Sequence, residues 1–204
     1  MTKLHIMRNR KKNQTNQTRE QTIPAIPTKE ECLNLMKEHN MLEHIIRHSL
    51  VVNKIALYLA CQLNKVGENL DTFKVQAGAL LHDITKTRSI HTHEDHAITG
   101  SELVEKLGFK SVSEIVRQHV RMDHNLDLSR ITEIEVVNYA DKRVTHERIV
   151  TLEERFEDLI NRYGLPEDRT SLIKQSKLRA FQLEKKIFSK LDITPDEILL
   201  LDQT

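Results

Sequence analysis

The chain has 204 residues, which is enough for one domain with an apolar core, and its 31 basic and 30 acidic residues leave a net charge of +1. Only 4% of the residues are aromatic, and five Gly and four Pro leave few breaks for a many-turned β fold. This composition argues against a dedicated nucleic-acid binder with a basic stripe and against a membrane-spanning protein, and it favours an all-α fold.

The N-terminal segment, residues 1–24, is polar, and its first twenty residues hold six Lys or Arg against one Glu. It lacks the apolar run of a signal peptide, so we expect a disordered tail. Cys32 and Cys61 are too few for a disulfide framework, and we expect both to be reduced core residues of a cytoplasmic protein. Structure is expected to begin at Thr28, which forms a capping-box pattern with Glu31.

His48 lies on the apolar stripe of a long predicted helix, because Val52, Ile55 and Leu59 follow it at four, seven and eleven positions. A lone His on an apolar face is more often a core residue satisfied by one hydrogen bond than a metal ligand. His44 lies one turn earlier on the same face and is a candidate to support the ring of His48.

The pair His82-Asp83 directly follows the apolar residues 79–81, which are predicted to be helical. A bare carboxylate at the end of a buried helix is costly, and a divalent metal ion is a partner that accepts both a ring nitrogen and a carboxylate oxygen. The alternative is an ordinary helix C-terminus at which His82 caps the last carbonyls and Asp83 faces solvent. This pair alone leaves both interpretations open.

Three further residues also lie on apolar helix faces: His96, His119 and Asp141. Gly100, four residues after His96, is expected to leave space beside that imidazole. Burying so many His and Asp side chains without a shared partner would be expensive, and helical proteins build metal sites from side chains on facing helices. We therefore predict one metal site in the core.

The remaining histidines give weaker signals. His91 and His93 lie in the polar stretch 87–95, which is predicted to be a loop between two helices and is more typical of exposed residues than of a substrate contact. His124 follows the helix of His119 and is a candidate to line the same cleft. The other three, His5, His39 and His146, are predicted to be surface residues.

The C-terminal part is predicted to contain two amphipathic helices and a short final one. Apolar residues recur every three to four positions over 152–163 and again over 173–187, and Thr194-Pro195 begins the last segment. We expect residues 149–204 to form a helical extension packed on a core of residues 25–148, because an amphipathic stripe is ordinarily buried. A dimerisation face or a lid are the alternatives.

The order of these residues resembles the HD-domain superfamily of metal-dependent phosphohydrolases. Residues 82–86, His-Asp-Ile-Thr-Lys, are similar to the His-Asp-Ile-Gly-Lys form that defines its HDIG subgroup, with Thr85 where Gly is usual. Residues 96–100 resemble the His-Ala-x-x-Gly segment, and residues 139–142 resemble the closing Ala-Asp-Lys element. The resemblance covers about residues 42–145.

The resemblance implies an HD-domain helical bundle and a centre with one or two divalent ions. One ion would be held by His48, His82, Asp83 and Asp141, and Asp83 would bridge to a second that is completed by His96 and His119. Manganese, iron, cobalt, nickel and zinc all suit such ligands. Asp83 and Lys86 would be catalytic; the predicted phosphate-binding residues are Lys86, Lys142 and Arg143. Surface salt bridges are the other role open to Lys142 and Arg143.

The implied activity is hydrolysis of a phosphate ester or anhydride by metal-activated water. Val120 follows His119 where cyclic-dinucleotide phosphodiesterases carry a second His, so a small phosphorylated substrate, a nucleotide or a dinucleotide is favoured over a cyclic dinucleotide. Diadenosine-tetraphosphate hydrolases of the superfamily fit better. The alternatives are a di-iron oxygenase on the same ligands and a non-catalytic nucleotide-sensing module. No nucleic-acid or membrane partner is expected, and a homodimer remains open.

Overall fold

A computed structural model describes residues 26–123, 127, 129–165 and 167–203. Within these residues the chain forms nine α-helices, a two-stranded antiparallel hairpin and a final 3-10 helix, so the predicted all-α fold is confirmed. The helices are α1 (Lys29–Glu38), α2 (Glu43–Lys65), α3 (Thr72–Leu81), α4 (Lys86–Thr92), α5 (His96–Lys106), α6 (Lys110–Gln118), α7 (Glu133–Lys142), α8 (Leu152–Tyr163) and α9 (Glu167–Phe188). The hairpin pairs β1 (Val144–Thr145) with β2 (Arg148–Ile149), and the 3-10 helix is Pro195–Gln203.

Reciprocal capping boxes define where three of these helices begin. The predicted one before α1 is confirmed, because Thr28 N–H donates to Glu31 Oε2 at 2.7 Å and Glu31 N–H donates to Thr28 Oγ1 at 3.2 Å. Thr132 and Thr151 do the same before α7 and α8. The predicted tail, residues 1–24, lies outside the described residues. None of the helices described is both long and apolar enough to cross a membrane.

Helix α3 lies between the two apolar clusters of the core. Val75 and Ala79 belong to the cluster that includes α2, α7, α8 and α9, whereas Leu80 packs in the other with α1, α5 and α6. At Gly78 a Cβ atom would stand 2.5 Å from Ile115 Cγ2, so the missing side chain allows α6 to approach α3 closely. This approach brings together the C-terminal ends of the two helices.

The C-terminal helices contact α2 and α7 through apolar side chains. Leu152, Phe156 and Leu183 are buried in the larger cluster with residues of α2 and α7. A buried ion pair between Lys186 Nζ and Glu135, 2.7 Å from each carboxylate oxygen, also joins α9 to the start of α7. The proposed domain boundary at residue 149 stays a prediction.

Two local predictions are wrong, and one element was not predicted. Residues 86–92 form α4 rather than a loop; this helix buries none of its residues, so it carries no apolar periodicity in the sequence. The hairpin of β1 and β2 was not predicted, because two-residue strands are too short to show alternation. Cys61 is exposed, although Cys32 is buried as expected.

Candidate metal centre

Five helices bring the six predicted ligand residues to one place. His48 lies in α2, His82 and Asp83 directly follow α3, and His96 is the first residue of α5. His119 caps the end of α6, and Asp141 lies in the last turn of α7. All are buried except His96, whose side chain is 24% exposed.

The carboxylate of Asp83 lies at the middle of this group and turns one oxygen toward each side. Its Oδ2 lies 3.3 Å from Nε2 of His82. Its Oδ1 lies 3.2 Å from Nε2 of His96 and 3.4 Å from Nε2 of His119. On the far side of His82, Oδ1 of Asp141 lies 3.1 Å from Nε2 of His48.

The potential ligand atoms form two overlapping groups, each with its members within 4.8 Å of one another. One group is His48, His82 and Asp83; the other is Asp83, His96 and His119. Asp141 Oδ1 adjoins the first group, 3.7 Å from His82 Nε2. The arrangement matches the two implied subsites with a shared Asp83, while ligation itself stays a prediction.

Backbone carbonyls hold three of the imidazole rings in one orientation. Nδ1 of His82 lies 2.7 Å from the Ala79 carbonyl oxygen, and Nδ1 of His119 lies 2.6 Å from that of Val116. His48 makes the same contact with the His146 carbonyl at 2.8 Å. Because a carbonyl only accepts, each Nδ1 carries a proton, and in the neutral ring the lone pair of Nε2 is then directed toward the centre, as in metal-binding histidines.

Two buried atoms of the centre lack a hydrogen-bond partner among the described residues: His82 Nε2 and Asp83 Oδ1. Buried polar atoms are ordinarily satisfied, and leaving one unpaired costs about 1–3 kcal/mol. Both are electron-pair donors that face the same small space, and a divalent cation is the partner that suits nitrogen and carboxylate oxygen together. The donor set therefore fits a divalent metal ion.

The charges of the centre keep the Asp83 carboxylate ionised and the His119 ring neutral, and they favour a positive charge on His82. Burial raises the pKa of Asp83, but Lys86 and His82 outweigh it and hold the pKa of this carboxyl well below its usual range. Burial lowers the pKa of His82, but the Asp83 carboxylate reverses the shift, so a positive charge at its Nε2 is stabilised. Burial lowers the pKa of His119 to about 4, which keeps this ring neutral.

Lys86 and Lys142 each contact one of the carboxylates. Nζ of Lys86 lies 2.6 Å from Asp83 Oδ2, and its side chain is 38% exposed. Nζ of Lys142 lies 2.8 Å from Asp141 Oδ2 and donates a second hydrogen bond to the His119 carbonyl at 2.9 Å. Lys142 is buried, so the expected surface salt bridge at this position is wrong, and two of its three donors already have acceptors.

The structure contradicts the predicted phosphate-binding role of Arg143. Its guanidinium is 1% exposed and points toward the C-terminal segment, away from the ligands. It donates to the Val150 carbonyl at 2.7 Å, the Tyr139 hydroxyl at 2.6 Å and the Pro195 carbonyl at 3.1 Å. With these donors used inside the fold, Arg143 joins α7 to the chain that follows it and has no surface role either.

Thr85, in the position where Gly is usual, is accommodated by a hydrogen bond. Its Oγ1 donates to the His96 carbonyl at 2.9 Å. A Cβ at Gly100 would stand 3.3 Å from this Oγ1 and 3.1 Å from Val116 Cγ1. Gly100 therefore makes room for Thr85 and Val116, and not for the His96 imidazole as expected.

The other histidines lie around the site or away from it. His44 is exposed and lines the cavity that opens over the ligands. Among the described residues it forms no hydrogen bond to the ring of His48. His91 and His93 are exposed, as predicted. His146 is exposed as predicted, but its carbonyl anchors His48, which no sequence pattern indicates. His5 and His124 lie outside the described residues.

A cavity of about 1080 Å³ opens over the ligands. Its floor includes Asp83 and Asp141, and its opposite wall is formed by α8 and α9. Sequence reasoning missed Arg155 of α8, which lines this wall and is only 8% exposed. Beyond it, the wall combines polar residues with an apolar group: Phe156, Leu159, Tyr163, Leu172 and Ile173.

Comparison with known proteins gives one match to a protein family. The family model described as HD domain matches residues 45–192. Over 153 residues the chain is 29% identical to a tRNA (cytidine(56)-2'-O)-methyltransferase of Picrophilus torridus, and the match covers 69% of this chain and 43% of that protein. Over 93 residues it is 32% identical to an uncharacterised protein of Methanocaldococcus jannaschii, covering 45% of this chain and 53% of the relative. The chain thus spans about half the length of these curated relatives.

Among solved structures, the chain is similar to that of a predicted HD superfamily hydrolase from an uncultured Thermotogales bacterium. The two share 23% sequence identity, and the TM-score is 0.46. The superposition covers 75% of this chain and 91% of the other.

Proposed function

Because the chain belongs to the HD domain family, we propose that it is a metal-dependent phosphohydrolase that cleaves a phosphate ester or anhydride of a nucleotide or dinucleotide. HD domains bind divalent metals, and the described residues include two His/Asp groups that could hold such an ion. The observation that carries the proposal is the carboxylate of Asp83, which turns one oxygen toward each group. Its unpaired Oδ1 and the unpaired Nε2 of His82 support the same conclusion.

The proposed ligand sets follow from these distances. His48, His82, Asp83 and Asp141 would hold one ion, and Asp83, His96 and His119 would hold a second. Bound manganese, iron, cobalt, nickel or zinc would supply a Lewis acid for the phosphoryl oxygens and a water of lowered pKa.

The protein's own side chains would orient the ligands and the substrate. Lys86, partly exposed and 2.6 Å from Asp83, is placed to give a phosphate oxygen a mobile positive charge. Lys142 holds Asp141 through one hydrogen bond and fixes the end of α6 through another, so we assign it a positioning role. The carbonyls that accept from His48, His82 and His119 hold the rings in place during turnover.

The α8–α9 wall of the cavity supports an organic phosphate as substrate. Leu159, Tyr163 and Ile173 offer an apolar surface beside the polar centre. Ligand sites commonly combine such a wall with a few polar groups, and aromatic side chains stack on nucleobases. A nucleotide has the same division into a polar and an apolar part. Its phosphate would lie at the metal centre near Asp83, and its base would lie on this wall.

The test is a hydrolysis panel with protein stripped and reloaded with manganese or with iron. The panel contains mononucleotides, dinucleoside polyphosphates, cyclic nucleotides and a short RNA, the last because one relative is named for an enzyme that acts on tRNA. Phosphate release from one class, lost in Asp83→Ala, is the expected result. No release by protein with bound metal would contradict the proposal; oxygen uptake by the iron form would then indicate an oxygenase, and nucleotide binding alone a sensor.

A further inference from the structure

Arg155, in the first turn of α8, is a buried guanidinium with almost no partner. The residue is 8% exposed, and its Nε has no hydrogen-bond partner among the described residues. Its ion pair with Asp158 is 3.7 Å long, which exceeds a hydrogen bond, and Asp158 is in closer contact with Arg162. Arg143, which is also buried, donates instead to several acceptors. Arg155 is thus the buried arginine whose donors are left available.

The position of Arg155 points these donors at the candidate centre. It lines the same cavity as Asp83, Lys86 and Asp141, from the opposite wall. A positive group therefore faces the centre across a space wide enough for a ligand.

An unpaired buried charge costs free energy, and proteins keep one where a bound ligand supplies the missing partner. The planar guanidinium fork matches a phosphate group with two parallel hydrogen bonds, whereas an ammonium acts as a point charge. The other arginines on this wall are already engaged: Arg162 with Asp158, and Arg179 with the Met122 carbonyl at 3.0 Å.

We propose that Arg155 binds the phosphate group of the substrate from the α8 side of the cavity, opposite the six ligand residues. The inference rests on the proposed function in one respect, that the cavity receives a phosphorylated compound. The Arg155 guanidinium would favour substrates whose phosphate carries two free anionic oxygens, namely phosphate monoesters and terminal phosphates. Internal diesters offer one charge and fit less well.

The first test needs no ligand. Replacement by glutamine removes the uncompensated charge and keeps most of the side-chain length, so the melting temperature of Arg155→Gln should equal or exceed that of the unchanged protein. Arg143→Gln, which strands several acceptors, should melt at a lower temperature. A comparable fall in Arg155→Gln would overturn the proposal, because it would show that the guanidinium serves the fold.

The second test is calorimetric titration of manganese-loaded protein with inorganic phosphate and with AMP. Arg155→Gln should bind both about 10- to 100-fold more weakly, because hydrogen bonds to a charged group are lost. Arg155→Lys should recover part of the affinity, and Arg169→Gln, an exposed arginine of α9 outside the cavity, should bind as the unchanged protein does. Equal affinity in Arg155→Gln, or no binding of either probe by the unchanged protein, would overturn the proposal.

The two proposals can fail separately. Hydrolysis with the same KM in Arg155→Gln as in the unchanged protein would remove the role of Arg155 and leave the phosphohydrolase in place. Arg155-dependent binding of phosphate without hydrolysis of any compound in the panel would support the role of Arg155 and contradict the phosphohydrolase. A rise in KM for AMP that is larger than the fall in kcat is the expected result, since Arg155 holds the phosphate and the ligand residues lie on the other wall.

Discussion

The two walls of the cavity are built in opposite ways. On the ligand wall, five helices contribute His or Asp side chains that are buried except for His96, and backbone carbonyls hold three of the imidazoles. On the α8–α9 wall, Tyr163 and Leu172 are about half exposed, at 48% and 49%, and the buried Arg155 has no hydrogen-bond partner for Nε in the part of the chain that the structure describes. On the proposed function, the first wall would hold a metal ion in a fixed position, and the second would contact the substrate. Substitutions on the first wall should therefore lower metal content and turnover, and substitutions on the second wall should weaken substrate binding.

The largest effect is expected from Asp83→Ala, since both ligand groups share this carboxylate. The variant should retain neither ion and lose all turnover, while its helix content stays nearly unchanged. Metal content by mass spectrometry, activity and circular dichroism measure these three properties. Glu94→Gln, which removes an exposed carboxylate near α5, serves as the control. Full metal occupancy in Asp83→Ala would show that the ligand assignment is wrong.

A smaller loss is expected from His119→Ala, because this ring belongs to one ligand group only. Metal content should fall from two ions to one per chain, and turnover should slow without vanishing. His91→Ala, an exposed histidine of α4, should leave both unchanged. Loss of both ions in His119→Ala would contradict separate subsites and indicate one coupled cluster.

The attachment of the second wall is tested by Lys186→Met. The change leaves Glu135 buried without its cation, which should lower the free energy of unfolding by about 3–5 kcal/mol. Lys185→Met removes an exposed neighbour and should change stability by less than about 0.5 kcal/mol. Urea unfolding measures both, and metal content below the transition should stay unchanged. Equal stability of the two variants would mean that this ion pair does not hold α9.

The smallest effect is expected from Leu172→Ser on the α9 surface. Part of this side chain is exposed in the cavity, and its contact with an organic group is worth about 1 kcal/mol, so KM should rise roughly fivefold with kcat and metal content unchanged. Leu165→Ser, at an exposed leucine outside the cavity, is the matched control. A fall in kcat alone would contradict the division of roles between the walls.

Most of the ligand wall could be predicted from the sequence, whereas the α8–α9 wall of the site could not. His48, His119 and Asp141 could be identified because each lies on an apolar helix face, where a polar side chain is unexpected. Asp83 followed from its place at the end of a buried helix. Their convergence needs the close contact of α3 with α6 at Gly78, which a single sequence does not specify.

The residues that were missed or misassigned depend on tertiary burial. Arg155 lies three residues after Leu152 and four before Leu159, but a single arginine beside an apolar stripe is ordinarily solvent-facing, so its burial is visible only in the structure. Arg143 lies two residues after Asp141, but the turn after α7 directs it toward Val150 and Pro195. The carbonyl of His146 anchors His48 from a hairpin too short to have a pattern. Such contacts join residues far apart in the chain.

The central claim is that divalent ions bind on either side of Asp83, and an anomalous difference map from crystals of manganese-saturated protein tests it directly. We expect two peaks within coordination distance of this carboxylate. One should also lie near His48, His82 and Asp141, and the other near His96 and His119. A map without a peak at Asp83, in protein that binds manganese in solution, would contradict it.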